Sequence, residues 1–131
     1  DSILPGLLEN LSKNIHETYP QKFFESGIVF SKDSPIKETA SLACVTASEE
    51  THFSKIKAVL QSLLRIGFNI KCETKTLSKH ALFSQGRVAE IVINRKTVGY
   101  IGELDSKVLE NFRIRTRVVG FEIKLSGLIF D

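Results

Sequence analysis

Residues 99–112 read GYIGELDSKVLENF, and the change of character inside this stretch decides the fold. Its first residues have the aromatic and β-branched character of a strand. A tight turn through Gly102-Glu103-Leu104-Asp105 is expected next. Asp105 or Ser106 can then accept a hydrogen bond from the orphan amides that open a helix carrying Val108, Leu109 and Phe112. Upstream, VAEIVINRKTVGYIGEL (88–104) holds two β-branched runs separated by Asn94-Arg95-Lys96, the pattern of a hairpin closed by a short polar loop. The unit is hairpin, turn, capped helix. Gly99-x-x-Gly102 lacks the glycines and lysine of a phosphate-cradling loop and follows a hairpin rather than a lone parallel strand. Both glycines therefore read as structural, marking a bend or a close backbone approach.

Toward the N-terminus, DSILPGLLENLSKNIH places Leu4, Leu7, Leu8, Leu11 and Ile15 at helical spacing, with Ser2 as N-cap and Pro5 inside the first turn, where a missing amide does no harm. QKFFESGIVFS (21–31) and ETASLACVTAS (38–48) read as strands joined by the polar, proline-bearing loop KDSPIK. THFSKIKAVLQSLLRIGF (51–68) is the most regular helical pattern. Ile56, Val59, Leu60, Leu63, Leu64 and Ile66 fall within an arc of roughly 160° at 100° per residue, and Gly67 is expected to end the helix. NIKCETKT (69–76) reads as a strand and LSKHALFSQG (77–86) as a loop, while VVGFEIKLSGLIF (118–130) supplies a last strand. The predicted order is helix, two strands, helix, strand, hairpin, helix, strand. Connections this short suit antiparallel neighbours, so the fold class is α+β, an antiparallel sheet of about six strands flanked by helices.

At 131 residues and 42% hydrophobic content the chain fits one domain, 1–131, of a size that buries roughly two thirds of its unfolded surface. Cys44 and Cys72 lie in apolar runs without CxxC or Cys/His spacing, which points to buried reduced thiols rather than zinc or a disulfide framework. No stretch approaches the ~18 continuous apolar residues of a membrane span and no cleavable signal pattern opens the chain. A cytoplasmic location without membrane partners is expected.

The net charge of +3 is too mild to announce nucleic-acid binding. In NFRIRTRVV, however, Arg113, Arg115 and Arg117 alternate and would share one side of an extended segment, a solvated face or a contact for RNA or an acidic partner. His16, His52 and His80 have no metal-ligand spacing and read as exposed or helix-end residues. There is no GxSxG elbow and no carboxylate pair in an apolar shell. Of the strand glutamates Glu25, Glu90, Glu103 and Glu122, the last, in VVGFEIKL, reads as a paired structural carboxylate before a site residue.

Five blocks taken together carry a resemblance: SILPGLLENLSKN, YPQKFFESG, GRVAEI, VGYIGELDSKVLENF and VVGFEIKL, in this order and covering nearly the whole chain. They resemble the C-terminal module of phenylalanyl-tRNA synthetase beta subunits of the archaeal and eukaryotic type. The resemblance implies a class II synthetase-like domain without catalytic activity, with the alpha subunit as partner and tRNA reached through the complete enzyme. No cofactor or metal is expected in this chain; ATP and magnesium belong by resemblance to the holoenzyme. A class II site needs arginines against the ATP phosphates, because phosphoryl charge must be met by fixed cations. At the position resembling the second motif the chain reads Phe24-Glu25-Ser26-Gly27, with no arginine. No glycine-rich strand leads to an arginine-bearing helix after VVGFEIKLSGLIF.

The chain departs from the family pattern in several places. Asp105-Ser106 stands where a His-Pro-like pair is usual, Arg113 where the helix end usually has glycine, and Ser26 and Ile28 replace an apolar and an acidic residue. A fragment of a longer beta subunit is expected, since editing and nucleic-acid modules are missing. The leading expectation is an assembly module of the ligase that joins phenylalanine to its tRNA, with Leu4, Leu7, Leu8 and Leu11 as the subunit interface. The alternative is a small basic RNA-binding module acting through Arg113, Arg115 and Arg117; an independent small enzyme would require a site the residues do not show.

Overall fold

The computed structural model describes residues 2–14, 21–30 and 38–125. The elements are α1 (Leu4–Lys13), β1 (Gln21–Phe30), β2 (Glu38–Ala47), α2 (Phe53–Phe68), β3 (Glu73–Leu77), β4 (Phe83–Ile93), β5 (Lys96–Leu104), α3 (Ser106–Asn111) and β6 (Val118–Lys124). The six strands form one antiparallel sheet in the order β1-β2-β6-β5-β4-β3. The expected order of elements and the α+β class hold. The last strand enters between β2 and β5, so VVGFEIK lies at the centre of the sheet, bonded on both sides.

Alternation along β6 divides the interior in two. On one face Val118 joins Ala43, Val45, Phe83, Leu104 and the leucines of α1. On the other, Val119, Phe121 and Ile123 pack with Cys44, Ile91 and Ile101 under α2. Helix α2 buries Ile56, Leu60 and Leu64, one residue per turn, each worth about 1.5–3 kcal/mol of apolar burial. Ile66, expected on that face, is 79% exposed. It points about 120° from the centre of the Ile56–Leu60–Leu64 stripe at 100° per residue, beyond the reach of the sheet.

Several expected boundaries move. Gly67 lies inside α2 rather than ending it; the cap is Asn69, in the left-handed region at φ 54°, whose amide donates to the Arg65 carbonyl. The third strand starts at Glu73 rather than Asn69, and Phe83 to Gly86, expected in a loop, belong to β4 across a bulge that Gly86 makes at φ 79°. The hairpin β4–β5 closes on only two residues, Asn94 and Arg95, at φ 51° and 66°. Positive φ at both positions is the twist-matched hairpin turn.

The expected turn at Gly102-Glu103-Leu104 is absent: these residues continue β5, and Asp105 alone makes the turn. Its Oδ1 accepts from the Lys107 amide at 3.0 Å, as N-cap of α3. Both glycines are close approaches. A Cβ on Gly99 would strike the Glu122 carbonyl oxygen, and one on Gly102 the Arg87 carbonyl oxygen, so neither strand position admits a side chain. The loop KDSPIK, Ile15 and His16 lie outside the described residues.

Candidate functional site

The leucine stripe of α1 comes first, because a partner surface must be accessible. Leu4, Leu7, Leu8 and Leu11 are at most 2% exposed, packed on β1 and β2 within the domain's own core. This corrects the assignment of these side chains to a subunit interface: the sheet already covers them, and what α1 presents outward is Glu9, Asn10 and Lys13. Exposed apolar surface lies elsewhere, on edge strand β1, where Phe24 and Ile28 are 52% and 59% exposed; opposite Cys44 and Ala40, they lie on the same sheet face as α2, at the sheet's edge.

The second expected site, the arginine face, keeps its alternation. Arg113, Arg115 and Arg117 are exposed while Ile114, Thr116 and Val118 between and beyond them are buried. Their chemistry differs, however. Arg117 Nε lies 3.0 Å from Glu103 Oε1, and its Nη1 donates to the Thr51 carbonyl at 3.3 Å. Arg87 Nη1 takes the other oxygen of Glu103 at 2.6 Å. One carboxylate on β5 thus engages a guanidinium from each side, and Glu103, singled out only as a strand residue, ties β4 to the entry of β6. Arg113 does a backbone task. It occupies the left-handed position after α3 at φ 59°, with its amide bonded to the Glu110 carbonyl and that of Ile114 to Leu109, a Schellman ending.

The start of α1 is fixed from β6. Glu122 Oε1 accepts from Ser2 Oγ at 2.6 Å, the Ile3 amide at 3.0 Å and the Leu4 amide at 3.1 Å. The Leu4 amide also reaches Ser2 Oγ at 3.2 Å, so Ser2 contributes as expected although Ile3 is the cap residue by backbone. Glu122 is a structural carboxylate that satisfies orphan amides of a helix 118 residues away. Beside it opens a pocket of about 330 Å³ with mostly apolar walls. His80 borders it, its ring 4.6 Å from that of Tyr100 and 5.1 Å from that of Phe83. The Leu82 amide donates to His80 Nδ1 at 3.2 Å, which requires that nitrogen to be unprotonated. Burial lowers the imidazole below its ordinary value, and Glu122 pulls it weakly the other way. His80 is half-buried, unlike the exposed residue expected; His52, at the start of α2, is exposed.

Among the described residues no group of three or more His, Cys, Asp or Glu side chains is placed to hold a metal. Cys44 is buried, and burial pushes its thiol up to about 11; Cys72 is half-buried and shifted in the same direction. No helix among the described residues is long and apolar enough to cross a membrane.

An antiparallel six-stranded sheet in this order, with α1 and α3 on one face and α2 on the other, is the fold of class II aminoacyl-tRNA synthetases. Two solved structures of a Desulfitobacterium hafniense pyrrolysyl-tRNA synthetase superpose on 98% of this chain and on 48% and 47% of theirs, with TM-scores of 0.80 and 0.81 at 15% and 16% identity. Residues 1–125 match the family model described as the phenylalanyl tRNA synthetase beta chain CLM domain, and the chain belongs to that family. Its similarity to phenylalanine–tRNA ligase beta subunits is 40% identity with that of Pyrococcus abyssi, 37% with that of Thermococcus kodakarensis and 39% with that of Methanocella arvoryzae. Each match covers 96–97% of this chain and 22–24% of the relative, so the chain spans about a quarter of these proteins.

Proposed function

We propose that this chain is a non-catalytic module of a phenylalanine–tRNA ligase beta subunit, which packs against the catalytic alpha subunit in the enzyme that uses ATP and magnesium to attach phenylalanine to tRNA. The observation that carries the reading is the family match over residues 1–125, joined to a first strand reading Phe24-Glu25-Ser26-Gly27. A tetra-anionic nucleotide needs fixed cations, and that segment offers a carboxylate instead. Phe24 and Ile28 supply exposed apolar area on a ten-residue edge strand. An edge of that length and character calls for a cover. The module would act in the cytoplasm and reach tRNA through the complete enzyme.

The RNA-binding alternative is weakened by Glu103, which engages Arg117 and Arg87, so that of the three exposed arginines of the expected face Arg117 already faces a carboxylate. Co-expression with an archaeal-type alpha subunit tests the leading reading. Co-purification is expected, lost on Phe24→Asp with Ile28→Asp, while the chain alone gives no phenylalanine-dependent exchange of pyrophosphate into ATP. Exchange above background, or failure to co-purify, would overturn it.

A further inference from the structure

The two edges of the sheet are built differently. β3 is five residues long and carries Glu73 and Lys75, so it is short and charged, the usual protection of an edge. β1 runs ten residues, pairs with β2 without a bulge from Gln21 to Phe30, holds no proline, and has its one lysine, Lys22, near its start. Among the described residues no strand pairs with its outer side, so its free amides and carbonyls form a straight template for another strand. Phe24, Ser26 and Ile28 stand exposed on one side of it, the side of α2.

That spacing is symmetric about Ser26. In an antiparallel pair of β1 with β1 of a second copy, centred on Ser26, Phe24 lies directly opposite the partner's Ile28, and Ile28 opposite the partner's Phe24. The four apolar side chains then surround a two-fold axis, on one face of a sheet continuous through both copies. On the other face Glu25 meets the partner's Gly27, so no like charges are directly opposed; centring on Glu25 instead would set that carboxylate against its own copy.

We propose that the chain by itself forms a two-fold dimer through β1–β1 pairing centred on Ser26. A self-complementary edge closes after two copies and leaves the short, charged β3 at both outer ends. The dimer does not rest on alpha-subunit packing, which would claim the same edge. The two covers exclude one another, and self-association and co-purification are measured separately.

The test is sedimentation equilibrium of the 131-residue chain over a range of concentrations, with exposed Ser26 as the probe. A reversible dimer, twice 14.7 kDa, is expected. Ser26→Lys sets two ammonium groups on the axis and is expected to weaken association by about tenfold or more while circular dichroism stays native. In a Cys72→Ser background, Ser26→Cys is expected to cross-link two copies under mild oxidation, since directly opposed residues of an antiparallel pair stand about 4.5–5.5 Å apart at Cα, within disulfide reach. Lys22→Cys, four residues from the axis and so roughly 27 Å from its copy at ~3.4 Å per residue, is expected not to. A monomer at every concentration up to millimolar would overturn the dimer. So would masses beyond two copies, undiminished association of the folded Ser26→Lys variant, or equal cross-linking of the two cysteine variants.

Discussion

Glu122 Oε1 lies 3.1 Å from the backbone nitrogen of Leu4, a residue 118 positions earlier, and the same oxygen takes the Ile3 amide at 3.0 Å. The first helix therefore begins where the central strand dictates. A carboxylate that meets orphan amides contributes more than a neutral acceptor, since hydrogen bonds to charged groups are worth about 1.5–3 kcal/mol. Glu122→Ala is expected to lower stability by about 2 kcal/mol and Glu122→Gln by about half as much, because the amide oxygen still accepts. Thermal unfolding measures both, and faster amide exchange confined to residues 4–8 in the Gln variant would locate the effect at the helix start.

Leu7 and Leu11 are 1% exposed and pack within the domain, so their loss is a loss of folding. Leu7→Ala is expected to cost about 2–5 kcal/mol, and Leu7→Asp with Leu11→Asp to abolish the cooperative transition, because two carboxylates would enter an apolar layer. Circular dichroism against temperature decides this. A native midpoint in the double variant would return the stripe to the surface.

These cases mark how far the residues alone could be read. Helix and strand order followed from local periodicity: Ile56, Leu60 and Leu64 recur at helical spacing, and Asn94-Arg95 sits between two β-branched runs. The leucine stripe of α1 was equally legible as apolar, but what covers it was not. That depends on β6 entering the sheet between β2 and β5, a pairing of residues some 80 apart that no window of the sequence contains. Glu103 was invisible for the same reason: its partners Arg87 and Arg117 come from different elements, and nothing in IGELD announces them. The pocket wall likewise joins His80, Tyr100 and Glu122, three segments that meet only across adjacent strands.

Gly67, whose type suggests a helix end, lies inside α2, with nothing within 4 Å of where a Cβ would sit. Gly67→Ala is therefore expected to stabilise the domain by about 0.5–1 kcal/mol, since glycine costs about that much relative to alanine inside a helix. A raised thermal midpoint is the readout. A fall would mean that the last turn of α2 meets a surface it does not touch here.

Arg113 presents the opposite case, a side chain where the backbone favours glycine. Its φ of 59° strains an L-residue by about 1–2 kcal/mol, partly offset by the greater chain entropy that glycine loses on folding. Arg113→Gly is expected to stabilise by about 0.5–1 kcal/mol, and Arg113→Val to destabilise by more, because β-branching is least compatible with the left-handed region. Chemical denaturation reads both: a shifted midpoint at unchanged m-value is expected, a change in stability without a change in the surface exposed on unfolding.

His80 makes stability depend on pH, with a direction that follows from its surroundings. Burial lowers its pKa from the ordinary 6.5, so the folded state binds a proton less readily than the unfolded chain. The Leu82 amide, which needs an unprotonated Nδ1, agrees with that direction. A group with a depressed folded pKa contributes stability that is present above the unfolded value and lost as pH falls through the folded one. The contribution should therefore be complete near pH 7.5 and decline as pH drops through and below 6.5. Glu122 and Lys124 face the same pocket as His80, and Glu122 acts against the effect by attracting the imidazolium, which limits its size. His80→Phe removes the titration while keeping a ring beside Tyr100 and Phe83, at the expense of the Leu82 hydrogen bond. Its thermal midpoint should be lower at pH 7.5, yet fall less than that of the natural chain between pH 7.5 and 5.0. Parallel curves for the two proteins across that range would show that His80 carries no pH dependence, and a steeper fall in the variant would reverse its sign.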